Sequence, residues 1–199
     1  MKNATVNCII LGHKTFGEAD KLVFLYSQEL GKIRVVAKGA RKITSKFTGH
    51  LETLNSCTVD LYFGPRTTII REIVTTETPL KNHQKLEILT SALKVAELTN
   101  RFLFEGQSLQ DLTTLIKKTV RRLTATDKQD LIINSYMIKL LDLNGLIPDF
   151  RDPDNRLPEK YQKFFHFLKT RPYQEIETIK TSPEENLYIQ NTITNLAQL

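Results

Sequence analysis

Apolar and polar residues alternate over the first 78 positions, the period of a strand with one buried face. In TVNCIIL, Val6, Cys8 and Ile10 alternate with Thr5, Asn7 and Ile9. KLVFLYS (residues 21–27) is rich in aromatic and branched side chains. KIRVVAK sets Ile33, Val35 and Ala37 against Lys32, Arg34 and Lys38, and QELG joins these two runs as a hairpin. NSCTVDLYFG places Cys57, Val59, Leu61 and Phe63 on one face, and GPR turns it into TTIIREIVTTE. Five short strands with tight turns predict a small barrel of the OB type, which hides its edges by closing on itself.

At Thr78-Pro79 the period changes to 3.6. Leu86, Leu89, Leu93, Ala96 and Leu103 form the predicted stripe of a first helix. Ser108 with Asp111 reads as a capping box opening a second, with Leu109, Leu112, Ile116, Val120 and Leu123 inside. Asp127 is the expected cap of a third helix, Leu131 to Leu143, which Gly145 ends and Pro148 seals. A loop, PDFRDPDNRLP, leads to a short aromatic helix from Pro158 to Leu168. SPEE then announces a final helix with Ser182 as N-cap and Pro183 in the first turn. The expected fold class is α+β: residues 1–79 an OB-fold nucleic-acid-binding domain, residues 80–199 an all-α helical bundle.

Charge changes this picture by its position. The formal excess of +6 belongs wholly to the first 50 residues, because residues 51–199 hold equal numbers of acids and bases. Within that quarter, no Asp or Glu occurs between Glu29 and Glu52, a stretch carrying Lys32, Arg34, Lys38, Arg41, Lys42 and Lys46. A one-sign cluster on the loops of a small barrel points to phosphate, with Ser45, Thr44 and Thr48 as uncharged donors and Gly39 and Gly49 allowing close backbone approach. Lys117, Lys118, Arg121 and Arg122, spaced i, i+4 on the second helix, form a second patch for DNA or an acidic partner. Few aromatics and no Trp place phosphate contact ahead of base stacking.

Little else carries chemistry. His13, His50, His83 and His166 are scattered, and no nucleophile, phosphate-cradling or metal motif accompanies them. Cys8 and Cys57 stand far apart in strand-like text and read as buried thiols. No apolar run is long enough for a membrane span or signal peptide, so a cytoplasmic, non-enzymatic protein without cofactor or metal is expected.

The run FGEADKLVFLYSQELGKIRVVAKGARKITSKFTGHLE resembles the N-terminal domain of the bacterial RecO family, in the order Gly17, Glu18, Asp20, Gly31, Lys38, Gly39, Arg41, Ser45, Gly49, Leu51. TPLKNHQKLEILTSALKVAELTNRFLFEGQS and YMIKLLDLNGLIPDF are similar to that family's later segments. The resemblance implies a recombination mediator that binds single- and double-stranded DNA, anneals complementary strands, engages the acidic tail of single-stranded-DNA-binding protein, and with RecR helps load RecA. It also implies a nucleoid-associated location. It further implies a four-cysteine zinc site after LNGLIP, which this chain lacks; Asp149, Asp152, Asp154 and His166 do not supply a Cys-rich tetrahedral set. An alternative reading makes the barrel an adaptor whose basic face binds an acidic protein.

Overall fold

A computed structural model describes residues 3–147 and 157–196. Five strands open the chain: β1 (Asn3–Phe16), β2 (Asp20–Ser27), β3 (Gly31–Ala37), β4 (Ser56–Phe63) and β5 (Thr68–Glu77). They close into a barrel in the order β1-β2-β3-β5-β4. The long β1 serves two neighbours. Its first half pairs with β4, its second with β2, and a bulge between Ile10 and Gly12 bends it from one to the other. All pairings are antiparallel except β3 with β5, which meet at Val36 and Ile69.

Of the residues predicted inward, Val6, Cys8, Ile10, Val35, Ala37, Cys57, Val59 and Leu61 are in the barrel core, Ile33 and Phe63 pack against it partly buried, and Val23, Leu25, Ile70 and Ile73 join it from β2 and β5. Cys8 and Cys57, remote in sequence, are partners across β1 and β4, and burial pushes both thiols above the usual range. The β3–β4 connection also enters this core through Phe47 and Leu51, which the alternation pattern did not reveal.

Helices follow: α1 (Leu86–Phe102), α2 (Leu112–Leu123), α3 (Gln129–Leu143), α4 (Glu159–Thr170), α5 (Tyr173–Ile176) and α6 (Pro183–Leu196). Several expectations need correction. On α1, Leu86 and Leu93 are exposed, and the buried residues are Ile88, Ala92, Val95, Ala96, Leu98 and Thr99, with Leu103 buried just past its end. Ser108 does not cap α2. Its hydroxyl donates to the Gln28 carbonyl at 2.7 Å, and α2 begins at Leu112, after Asp111 at φ +66°. Asp127 does not cap α3 either: Lys128 holds the cap position, and its N–H donates to the Thr126 hydroxyl.

Other signals hold. Leu112, Ile116, Val120 and Leu123 are buried on α2. Gly145, at φ +67°, ends α3 with a Schellman pair of bonds, Gly145 N–H to the Asp142 carbonyl and Leu146 N–H to the Leu141 carbonyl. Ser182 and Glu185 make a reciprocal capping box, Glu185 N–H to Ser182 Oγ at 3.1 Å and Ser182 N–H to Glu185 Oε2 at 3.0 Å. Pro148 and the loop to Arg156 lie outside the described residues.

The chain divides into two compact units. The first comprises residues 1–84 and 96–113, so the second half of α1 and the segment after it belong with the barrel. The second comprises residues 85–95 and 114–199, where α3, buried on nearly all sides, packs against α4, α5 and α6.

Candidate nucleic-acid interface

The β3–β4 connection has the sequence of a flexible arm but is a chain of tight turns. Ala40, Lys42, Ser45, Thr48 and His50 each donate a backbone N–H to the carbonyl three residues before. Phe47 and Leu51, 3% exposed each, anchor it in the barrel. Lys38, Arg41, Lys42 and Lys46 are therefore exposed on an ordered platform.

The platform is tied to the β1–β2 turn. Asp20 Oδ1 accepts the Gly39 N–H at 2.8 Å, and Arg41 N–H donates to the Ala19 carbonyl at 2.9 Å. The Arg41 guanidinium donates from one nitrogen to the Gly17 and Glu18 carbonyls, at 3.1 and 2.8 Å. Arg41 thus holds the turn through one edge of a group that carries five N–H donors. Lys46 donates to the Arg71 carbonyl and lies 5.6 Å from the Phe47 ring centre. Among the described residues, the Lys38 and Lys42 ammonium groups make no hydrogen bond or ion pair of this kind, and Lys42 lays its stem beside Gly39. Ser45 Oγ accepts the Phe47 N–H at 3.2 Å, so its lone pair serves the turn while its proton stays available.

The two earlier cations of the run are differently placed. Lys32 closes the C-terminal end of α1, its ammonium donating to the Asn100 carbonyl and, at 2.8 Å, to the Leu103 carbonyl; burial pulls its pKa down. This is helix capping by a cation at the negative pole, so the ammonium expected to meet phosphate already serves two backbone carbonyls. Arg34 pairs with Glu105 at 2.6 Å, both about half exposed, so a phosphate reaches it only by displacing that carboxylate. The strand pattern gave no hint of these partners, because they come from the last turn of α1 and the segment after it. That segment is strapped to β3 by Gly106 N–H to the Lys32 carbonyl at 2.7 Å and Lys32 N–H to the Gln107 carbonyl at 3.1 Å. The Tyr26 hydroxyl secures it further, donating to the Leu109 carbonyl and accepting the Leu109 N–H.

The sequence reading also passed over Lys14 and Phe24. Lys14 lies 5.7 Å from the Phe24 ring centre, and Phe24 is the cross-strand partner of Arg34. Alternation places these side chains together outside the barrel, a signal present in the sequence but unused there.

The family model described as "Recombination protein O N terminal" matches residues 1–77, and "Recombination protein O C terminal" matches residues 83–153. The chain belongs to the RecO family. Among its relatives, the DNA repair protein RecO of Roseiflexus sp. (strain RS-1) is 34% identical over 144 residues, 70% of this chain and 49% of the relative. That of Desulforamulus reducens is 31% identical over 149 residues, 75% of this chain and 58% of the relative. That of Dehalococcoides mccartyi (strain 195) is 30% identical over 147 residues, 74% and 58%. The chain thus spans about half to three fifths of the length of these RecO relatives. Its two cysteines both lie in the barrel core, so the donor set does not fit the four-thiolate zinc site. Among the described residues no three His, Cys, Asp or Glu side chains gather where a metal could sit, and Asp149, Asp152 and Asp154 lie outside those residues. Nor is any described helix long and apolar enough to cross a membrane.

The second basic patch is only partly an open surface. Arg122 forms a two-point ion pair with Glu177, Nε to Oε1 at 2.6 Å and Nη2 to Oε2, which joins α2 to the residue after α5. Lys117, Lys118 and Arg121 are exposed on the same helix. Arg122 thus fastens α2 within the second unit through Glu177.

Proposed function

We propose that the barrel of this RecO-family protein, residues 1–79 of the chain, is a DNA-binding module that works in recombinational repair. It holds the phosphate backbone of single- and double-stranded DNA and brings complementary strands together without catalysing bond chemistry. With RecR and an acidic-tailed single-stranded-DNA-binding protein, it helps RecA onto DNA. The observation that carries this reading is the fixed platform of the β3–β4 connection, where Lys38, Arg41, Lys42 and Lys46 are exposed together on a chain segment anchored by Phe47 and Leu51. Ordering cations before the ligand arrives lowers the entropy lost on binding. Lys117, Lys118 and Arg121 offer a further surface for DNA or for the acidic tail.

The test is the salt dependence of binding. Two to four phosphate contacts give a log-log slope of roughly −2 to −4, and Lys38→Glu with Lys42→Glu flattens it by about two contacts and abolishes annealing. Arg41 is spared because it also holds the β1–β2 turn. A charge control needs unpaired lysines, which excludes Lys160, Lys163 and Lys169, paired with Glu185, Glu159 and Asp142. Lys81→Glu with Lys85→Glu makes the same charge change on exposed side chains. Equal loss in both double variants would reduce the platform to bulk charge, and a shallow slope with tight binding to an acidic peptide would favour the adaptor reading.

A further inference from the structure

A phosphate site leaves two apolar side chains unaccounted for. Ile43, in the middle of the basic run, is 102% exposed, and Phe16, the last residue of β1, is 49% exposed. One exposed apolar residue is ordinary on a protein surface. These two, however, stand on adjoining tips of the barrel. Phe16 opens the turn whose Gly17, Glu18 and Ala19 carbonyls all accept from Arg41, and Ile43 follows Arg41 by two residues. The tip that carries Ile43 cannot fold inward to hide it, because Phe47 and Leu51 already fix the connection in the core. Both apolar groups are thus held in water, beside the exposed Lys38, Arg41 and Lys42.

The two kinds of group ask for one ligand. Cations at the rim complement phosphate, and exposed aromatic and branched side chains complement a flat apolar face. An unpaired nucleic-acid strand presents both, whereas a duplex offers the phosphates and keeps its base faces stacked. Glu18, exposed on the first tip, repels phosphate there and leaves the phosphate path to the second.

We infer that Phe16 and Ile43 are base contacts, so that the tips of the β1–β2 turn and the β3–β4 connection take an unpaired strand, bases against these two side chains and phosphates against Lys38, Arg41 and Lys42. This rests on the DNA-binding reading above and adds to it a discrimination between strand states. Bases splayed on these tips would be exposed for pairing with an incoming strand.

The experiment uses the full chain with Ile43→Ser, Phe16→Ser and the double variant. Binding is measured to a single-stranded oligonucleotide containing 2-aminopurine and to the matching duplex, at several salt concentrations. The expected result for the double variant is a roughly tenfold or greater loss for the single strand, in the range of lost base contacts. Duplex binding stays within about twofold, the salt slopes stay unchanged because no phosphate contact is removed, and the 2-aminopurine signal on binding disappears. Ile43→Ser decides the matter if Phe16→Ser lowers the melting temperature, since a fully exposed side chain contributes no core packing. Equal losses for single strand and duplex, or no loss in variants that melt like the wild type, overturn the inference alone. A wild type that binds neither DNA at low salt overturns the DNA-binding reading with it.

Discussion

Gly31 shows how much one position can settle. It sits at φ +68°, and a Cβ there would meet the backbone carbon and oxygen of Gln107 at 2.5 Å. The chain after α1 therefore lies on β3 only because that residue has no side chain. Gly31→Ala is expected to cost at least roughly 1 to 3 kcal/mol, from left-handed strain plus displacement of the strap. Urea denaturation measures it, and a midpoint equal to wild type would show that the strap yields freely. Lys139 makes a second residue-level case. Its ammonium donates to the Arg171 carbonyl at 2.6 Å and lies 4.8 Å from the Tyr173 ring centre, and burial lowers its pKa to about 8. An unfolded lysine titrates near about 10.4. Between those values the unfolded chain binds the extra proton, so this group makes stability rise with pH from about 8 to about 10, while below 8 its penalty is constant. Lys139→Met should remove that rise, read as the difference between the two proteins' urea midpoints across the same pH range. The Gly31 contact was illegible in the sequence, because its partner lies more than seventy residues away.

At the scale of elements, local signals were legible where one segment meets its own needs. The Ser182 N-cap and the Gly145 terminus both formed as read, since each satisfies backbone groups of its own helix. Ser108 and Asp127 carry equally good capping chemistry and do not cap, and Ser108 is spent instead on the Gln28 carbonyl. Helix α3 is the element on which the second unit depends. Ten of its fifteen residues are buried, and Leu140 is 0% exposed. Leu140→Ala should cost roughly 2 to 5 kcal/mol by leaving a cavity among packed helices. DNA affinity of the folded variant should be unchanged, because the platform belongs to the other unit; a fall in affinity at temperatures where the protein stays folded would tie the site to α3.

For the whole molecule, the missing thiolates are decisive for composition. With both cysteines enclosed in the barrel, purified protein should carry well under one zinc per chain, and a chelator should leave the melting temperature unchanged. Elemental analysis finding one zinc per chain, with unfolding on chelation, would show that other donors serve. By itself the sequence determined the α+β class, the five strands with the inward faces of β1, β3 and β4, and the confinement of net charge to the first quarter of the chain. These follow from period, turn residues and charge order, all of which are local. Only the tertiary structure decided which cations remain available. Lys32 and Arg34 look the same as Lys38 and Lys42 in the text, yet the end of α1 and the segment after it take the first pair with backbone carbonyls and Glu105. The connection between β3 and β4 holds the second pair in solvent by burying Phe47 and Leu51. A side chain's charge is written in its own codon, but the partner that neutralises it arrives by long-range folding, which no local pattern encodes.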